Sequence, residues 1–191
     1  IVSHGRLATT EVAKRFAPPK RTVKQVKTTI LPDDYMERYE KDKEKLKIWS
    51  DEGISMASLE KFNVRYDGFS NCLVYPIRNP DGKIVNVGGR TLDPDWKEKK
   101  IRKYTYFHSW GELRTLYGLA ENREQIEKAR EIILFEGCKS VLFADTYGIH
   151  NTGALLTSHL TPNQMKILIE LGCRVVFALD KDVVVRNDYN I

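Results

Sequence analysis

From Glu131 to Leu179 the chain alternates short apolar runs with helical segments, and this alternation limits the possible folds more than any other feature. EIILF (131–135), NTGALL (151–156) and RVVFAL (174–179) have the length and side-chain content of buried strands. Between them lie KSVLFADTY (139–147), with Val141, Leu142 and Ala144 facing inward, and PNQMKILIEL (162–171). Thr161 stands at the N-cap of the second helix. Pro162 follows at the first helical position, where its missing N–H costs nothing, and Gly172 marks the stop. Two successive strand–helix–strand units predict parallel strands in a doubly wound α/β sheet. Ligands of such sheets bind beyond the carboxyl ends of the strands.

Two of the predicted strands end in acids at that edge. The first runs into Glu136-Gly137 and the third into Asp180-Lys181-Asp182. Taken singly, these could be ordinary strand-end or helix-cap acids. Taken together on neighbouring parallel strands, three carboxylates would converge and repel one another unless a cation sat among them. Oxygen-only ligation suits Mg²⁺ or Mn²⁺, which bridge to substrate phosphates. Gly137 would allow a backbone or phosphate to approach closely.

The half before residue 120 has a different pattern. Residues 1–30 contain seven Lys/Arg, the APPKR breaker and no sustained hydrophobic period, and so read as a basic arm or linker. A helix is expected from Asp33, as N-cap, to Gly53, with Tyr35, Tyr39, Leu46 and Trp49 inside. A short helix follows, capped by Ser55, with Met56, Leu59 and Phe62 at helical spacing. CLVYPI (72–77) and KIVNV (83–87) flank RNPDG, a hairpin signal. GGRTL (88–92) places Gly88-Gly89 backbone beside Arg90, whose guanidinium could take a phosphate bidentately or could form a surface salt bridge. ENREQIEKAR (121–130) reads as a polar helix with Ile126 and Ala129 inward.

The net charge of +5 is unevenly spread. WKEKKIRKYTYF (96–107) mixes Lys99, Lys100, Arg102 and Lys103 with Trp96, Tyr104, Tyr106 and Phe107. Cations neutralise phosphates and aromatic faces stack on bases, so the mixture suits single-stranded nucleic acid; a solvated loop with its rings turned inward is the alternative. His108 sits among the aromatics of the basic stretch and could touch nucleic acid, whereas His4, His150 and His159 read as loop or packing residues. Cys72, Cys138 and Cys173 are odd in number and lack metal-ligand spacing, which argues against a disulfide framework or a zinc site and for a reducing compartment. No apolar run reaches the ~20 residues of a membrane span. IVSHGRLATT has neither a signal-peptide layout nor an initial Met, so an excised fragment is expected.

The segment from ILFEG to ALDKD resembles the first half of a TOPRIM domain, whose signature is Glu-Gly after one strand and Asp-x-Asp after a later one. Upstream, DEGISMASLEKFNVRYDG, LVYPIRNPDGKIVNVGGRTLD, KYTYF and LRTLYGL resemble, in order, the segments that precede TOPRIM in the DnaG-type primases of bacteria and phages. LTPNQMKIL resembles a further segment of that family, and the likeness covers roughly residues 45–182. It implies a basic arm at 1–30, an α+β subdomain at 31–125 and a Rossmann-like α/β TOPRIM subdomain at 126–191, truncated at its C-terminus.

The activity implied by the resemblance is metal-dependent synthesis of RNA primers from NTPs on a single-stranded DNA template. Glu136, Asp180 and Asp182 would be the catalytic and metal-holding acids, with Arg90 and Lys103 facing template or nucleotide; Lys99, Lys100 and Arg102 are nucleic-acid-binding candidates from the basic-aromatic composition of their stretch. The resemblance further implies a replicative helicase partner, a bacterial cytoplasmic setting with phage or mobile-element origin, and a zinc domain only in a portion absent from this sequence. Departures from the family pattern are Ser140 in place of an acid, VVVRND after Asp182, and Glu112 where a basic residue is usual. A TOPRIM nuclease, or a DNA-recruiting module without chemistry, is the rival reading; the GGR hairpin and the LYGL segment speak against the nuclease.

Overall fold

The computed structural model describes residues 29–109 and 113–180. Two sheets organise them. An antiparallel sheet has β1 (Arg65–Asp67), β2 (Cys72–Arg78), β3 (Ile84–Thr91) and β4 (Tyr104–Tyr106) in that order. A parallel sheet has β5 (Glu131–Phe135) between β6 (Thr152–Ala154) and β7 (Arg174–Phe177). The helices are α1 (Lys43–Asp51), α2 (Met56–Lys61), α3 (Leu119–Ala129), α4 (Cys138–Thr146) and α5 (Pro162–Leu171).

The parallel sheet is covered on both faces, as two consecutive strand–helix–strand crossovers require. Ile132 and Leu134 of β5 pack with Leu119 and Ile126 of α3 and Ile167 and Leu168 of α5. On the other face Cys138, Val141 and Leu142 of α4 join a core made with Leu46, Trp49, Leu59, Phe62, Leu73 and Tyr75. One apolar core therefore joins the two sheets. A smaller cluster of Leu31, Met36, Val74, Ile84 and Val87 covers the outer face of the antiparallel sheet.

Local signals behave as their chemistry dictates. Thr161 and Gln164 form a reciprocal capping box with Pro162 in the first turn, and Gly172 ends α5 at φ +57°. Ser55 caps α2 through the Ser58 N–H. In the hairpin turn Asn79 Oδ1 accepts from the Asp81 and Lys83 N–H groups, and Gly82 takes φ +81°.

The single helix expected from Asp33 is instead a 3-10 turn (Tyr35–Arg38), a break, and α1. The break arises because Glu40 exchanges both backbone hydrogen bonds with Tyr66, at 2.8 and 2.9 Å, which extends the chain; Asp42 then caps α1. β1 and β4 emerge from stretches with no strand pattern. β3 runs on through Gly88-Gly89-Arg90. Ala129 and Met56 are exposed, while Ile126, Leu59 and Phe62 are buried. Cys72 and Cys138 are buried free thiols and Cys173 is half-buried, in keeping with packing roles. No described helix is long and apolar enough to cross a membrane.

A polar knot fastens the helices of one half to those of the other. Asp145, near the end of α4, is buried and accepts from Ser58 Oγ at 2.7 Å, from the Lys61 ammonium, and from His150 Nδ1 at 2.7 Å. Lys61 also reaches Asn122 Oδ1 at 2.8 Å, and Asn122 Nδ2 donates to the Thr152 carbonyl at 3.0 Å. Burial by itself would push the Asp145 carboxyl up; the hydrogen bonds from Lys61, Ser58 and His150, with the Lys61 charge, outweigh it and hold the group below the usual range. The carboxylate therefore stabilises the fold fully above the unfolded-chain value, near about pH 4, and this contribution fades as pH falls through the lower folded value. Asp145→Asn should cost about 1–3 kcal/mol near neutrality in urea denaturation. The gap from wild type should narrow below about pH 4; a constant gap would contradict the role given to the charge.

Candidate active site

The acids predicted at strand ends lie at one edge of the parallel sheet. Leu134 of β5 is in register with Phe177 of β7, and the Ala178 N–H donates to the Leu134 carbonyl at 2.8 Å. Glu136 is two residues beyond Leu134 and Asp180 three beyond Phe177, so both follow the carboxyl ends of adjacent parallel strands. Glu136 is half-buried and Asp180 exposed. Asp182 lies outside the described residues. Among the described residues no cluster of three or more metal-ligating side chains is gathered. A Cβ added to Gly137 would meet no atom of the described residues within 4 Å, so among them the space beside the β5–α4 turn is open.

The chain after β5 is tied to the antiparallel sheet by a short hydrogen-bond string. The Glu136 carbonyl accepts from the Leu156 N–H at 2.8 Å, and the Leu156 carbonyl accepts from Tyr106 Oη, on β4, at 3.1 Å. Leu156 holds φ +61°, a left-handed conformation that costs an ordinary side chain roughly 1–2 kcal/mol. Burial pushes the Tyr106 hydroxyl up to about 12, so it stays protonated and able to donate. Leu156 did not stand out in the sequence, and Tyr106 did so only as one ring of the basic-aromatic stretch, because their pairing crosses fifty positions.

Arg90 is half-buried on β3, paired in register with Leu73 and Tyr104. Its Nη1 donates to the Thr91 carbonyl at 2.7 Å, and its guanidinium carbon lies 5.4 Å from the centre of the Tyr104 ring. Its charge reaches the first residue of α4. Burial pushes the Cys138 thiol up to about 12, and among the opposing influences are the Tyr75 hydrogen bond and the Arg90 cation. Cys138, which feels this charge, is the first residue of α4, two residues past Glu136.

Gly88 and Gly89 play a different part from the exposed backbone expected of them. Both are buried, and the space in front of each is filled by a ring. A Cβ on Gly88 would overlap the Tyr75 ring, 2.6 Å from Cζ, and one on Gly89 would lie 2.7 Å from Phe107 Cε2. These glycines let two aromatic side chains lie flat on β3 while Arg90 continues the strand.

The basic segment divides. Lys99 Nζ is held by Asp93 Oδ2 at 2.8 Å, with Asp95 at 3.8 Å. Lys100 is exposed at φ +54°, and Arg102 and Lys103 are exposed. Lys103 Nζ lies 5.9 Å from the ring centres of both Trp96 and Tyr104. His108 is engaged inside the protein, at 3.0 Å from Tyr35 Oη and with its backbone bound to the Asn86 side chain.

Comparison with known proteins shows similarity in sequence and in fold. The sequence is 37% identical over 118 residues to the DNA primase of Halalkalibacterium halodurans, covering 62% of this chain and 19% of that protein. It is 34% identical over 118 residues to the DNA primase of Neisseria meningitidis, covering 61% and 20% respectively. The fold matches the zinc-binding and RNA polymerase domains of Aquifex aeolicus primase with a TM-score of 0.67 at 24% identity, covering 78% of this chain and 46% of that one. The chain is therefore similar in sequence to bacterial DNA primases and similar in fold to primase catalytic cores. A DnaG catalytic domain bound to single-stranded DNA matches at a TM-score of 0.65 and 18% identity, covering 76% of this chain and 58% of that structure. No family model matches the sequence. The chain spans about a fifth of the length of the curated primases it matches. Gly88→Ala should cost about 1–3 kcal/mol of unfolding free energy, because the Tyr75 ring is fixed in the core and cannot move aside. Unchanged stability in urea or thermal unfolding would contradict that packing.

Proposed function

We propose that this chain is the part of a DNA primase that carries the nucleotidyl-transfer centre for RNA primers on single-stranded DNA. The observation that carries the reading is the adjacency of β5 and β7, which brings Glu136 and Asp180 past one sheet edge. In this reading residues 1–30 are a basic arm, 31–125 the polymerase-type α+β subdomain, and 126–191 the part of a TOPRIM domain present here.

Glu136 and Asp180, joined by Asp182, would hold Mg²⁺ or Mn²⁺. Carboxylates at neighbouring strand ends are hard oxygen donors that repel one another until a cation neutralises them, and the open space beside Gly137 leaves room for its other ligands. When bound, the cation supplies charge neutralisation at the nucleotide phosphates and activation of the attacking hydroxyl. The chain's own groups do the rest. Arg90 offers a planar fork to a phosphate and is already ordered by its bond to the Thr91 carbonyl. Lys103, Lys100 and Arg102 present exposed ammonium and guanidinium groups along the path of a template strand, and Lys99 braces the loop that displays them. NTPs would enter at the β5–α4 turn. A replicative helicase would be the partner in a bacterial or phage cytoplasmic setting.

The test is template-dependent NTP incorporation by the full-length protein with Mg²⁺ or Mn²⁺. Wild type should extend on single-stranded template, and Glu136→Ala and Asp180→Ala should each abolish incorporation while keeping the native melting temperature. Plasmid cleavage without dinucleotide synthesis would overturn the reading in favour of a nuclease.

A further inference from the structure

The loop between β3 and β4 carries Trp96 and leads into Tyr104, the first residue of β4. Its backbone is closed by Lys99 N–H to the Asp95 carbonyl at 3.0 Å, Lys100 N–H to the Lys97 carbonyl at 3.1 Å and Ile101 N–H to the Trp96 carbonyl at 2.8 Å. Asp93 Oδ1 accepts from the Asp95 N–H at 2.9 Å, and the Asp93 carboxylate also grips the Lys99 ammonium. The hydrogen bond from Lys99 pulls the Asp93 carboxyl below its ordinary range, and the same contact raises the lysine. The loop is thus ordered by its own polar groups although it lies at the surface.

Within this frame aromatic rings and cations alternate. Trp96 is half-buried, with Lys97 Nζ 5.4 Å and Lys103 Nζ 5.9 Å from its ring centre. Tyr104 is 38% exposed, with Lys103 Nζ 5.9 Å and Arg90 5.4 Å from its ring centre. Lys103 is therefore shared between two aromatic side chains. An ammonium at this distance is drawn by the electron-rich ring face. Neither Trp96 nor Tyr104 belongs to the apolar core clusters, so core packing does not account for their placement. Large rings with cations around them have the composition that binds a single strand by stacking its bases and neutralising its phosphates.

We propose that Trp96 and Tyr104 form a two-ring stacking platform for the bases of single-stranded DNA, with Lys97, Lys103 and Arg90 taking the adjoining phosphates. This rests on the primase reading of the basic surface and adds to it a division of labour. Bases meet the rings, phosphates meet three of the cations, and Lys99 positions the loop without touching the strand. Because every base has a π-face, the platform should be tolerant of sequence.

The test compares two ligands for the 191-residue chain: an oligodeoxythymidine of about twelve nucleotides and an abasic deoxyribose-phosphate oligomer of the same length. Trp96→Ala should weaken binding of the thymidine oligomer about 5- to 100-fold and leave the abasic oligomer unaffected. Trp96→Phe should keep most of the affinity, since a phenyl ring also stacks, but lose the part of the indole fluorescence quenching that arises at Trp96. Lys103→Ala should weaken both oligomers and lower the slope of log K against log salt by about 0.7. If Trp96→Ala weakens both ligands equally or neither, with salt-dependent binding intact, the platform is wrong and the basic surface stands. If the wild-type chain binds neither oligomer, or binds without salt dependence, the basic-surface reading fails and the platform falls with it.

Discussion

Tyr117 is where the two halves of the molecule are clamped together. Its backbone exchanges two hydrogen bonds of 2.9 Å with Ala154, which adds the Tyr117 segment to the edge of the parallel sheet at β6. Its ring turns the other way, edge-on to Tyr75 at 5.4 Å and stacked on Phe62 at 5.8 Å, in the core beneath the antiparallel sheet. The ring is wholly enclosed, and its hydroxyl has no hydrogen-bond partner among the described residues. Leaving such a group unpaired costs about 1–3 kcal/mol, a cost that the burial of a large aromatic surface has to exceed. Arg78, at the end of β2, adds an ion pair with Glu121 of α3 at 3.3 Å, and the Asp145 knot a second polar tie.

Fixing the two sheets to each other is what gives the candidate site a shape. The carboxyl edge of β5 and β7 would otherwise be a pair of strand ends facing solvent. With the sheets clamped, Tyr106 of β4 reaches Leu156, Leu156 holds the Glu136 backbone, and the Arg90 charge acts on the first residue of α4. Acids come from one sheet and cations from the other. The glycine pair before Arg90 contributes by making room for Tyr75 and Phe107, so the strand that carries the guanidinium lies close against the core.

How much of this could be read in advance follows the range of the interactions. The β5-to-β7 region was legible because apolar period, Thr161, Pro162 and Gly172 are local signals that agree with one another. The hairpin was legible from Asn79 to Gly82 for the same reason. The helix break at Glu40 was not, since it depends on a backbone partner at Tyr66, and β4 was hidden in a basic stretch whose strand character comes only from pairing with β3. Asp145 had no visible role because Lys61 lies 84 positions away. Glu136 and Asp180 could be marked as strand-end acids, but only the order β6-β5-β7 makes their strands neighbours. The companion acid Asp182 falls outside the described residues.

The central claim is that Glu136 and Asp180 act together as one cation site. Mn²⁺ titration of the chain, followed by electron paramagnetic resonance of the free ion, measures this without requiring turnover. One saturable Mn²⁺ site weakened at least about tenfold by Glu136→Gln and by Asp180→Asn alike is the expected result. Saturable binding that survives both substitutions in correctly folded protein would contradict it.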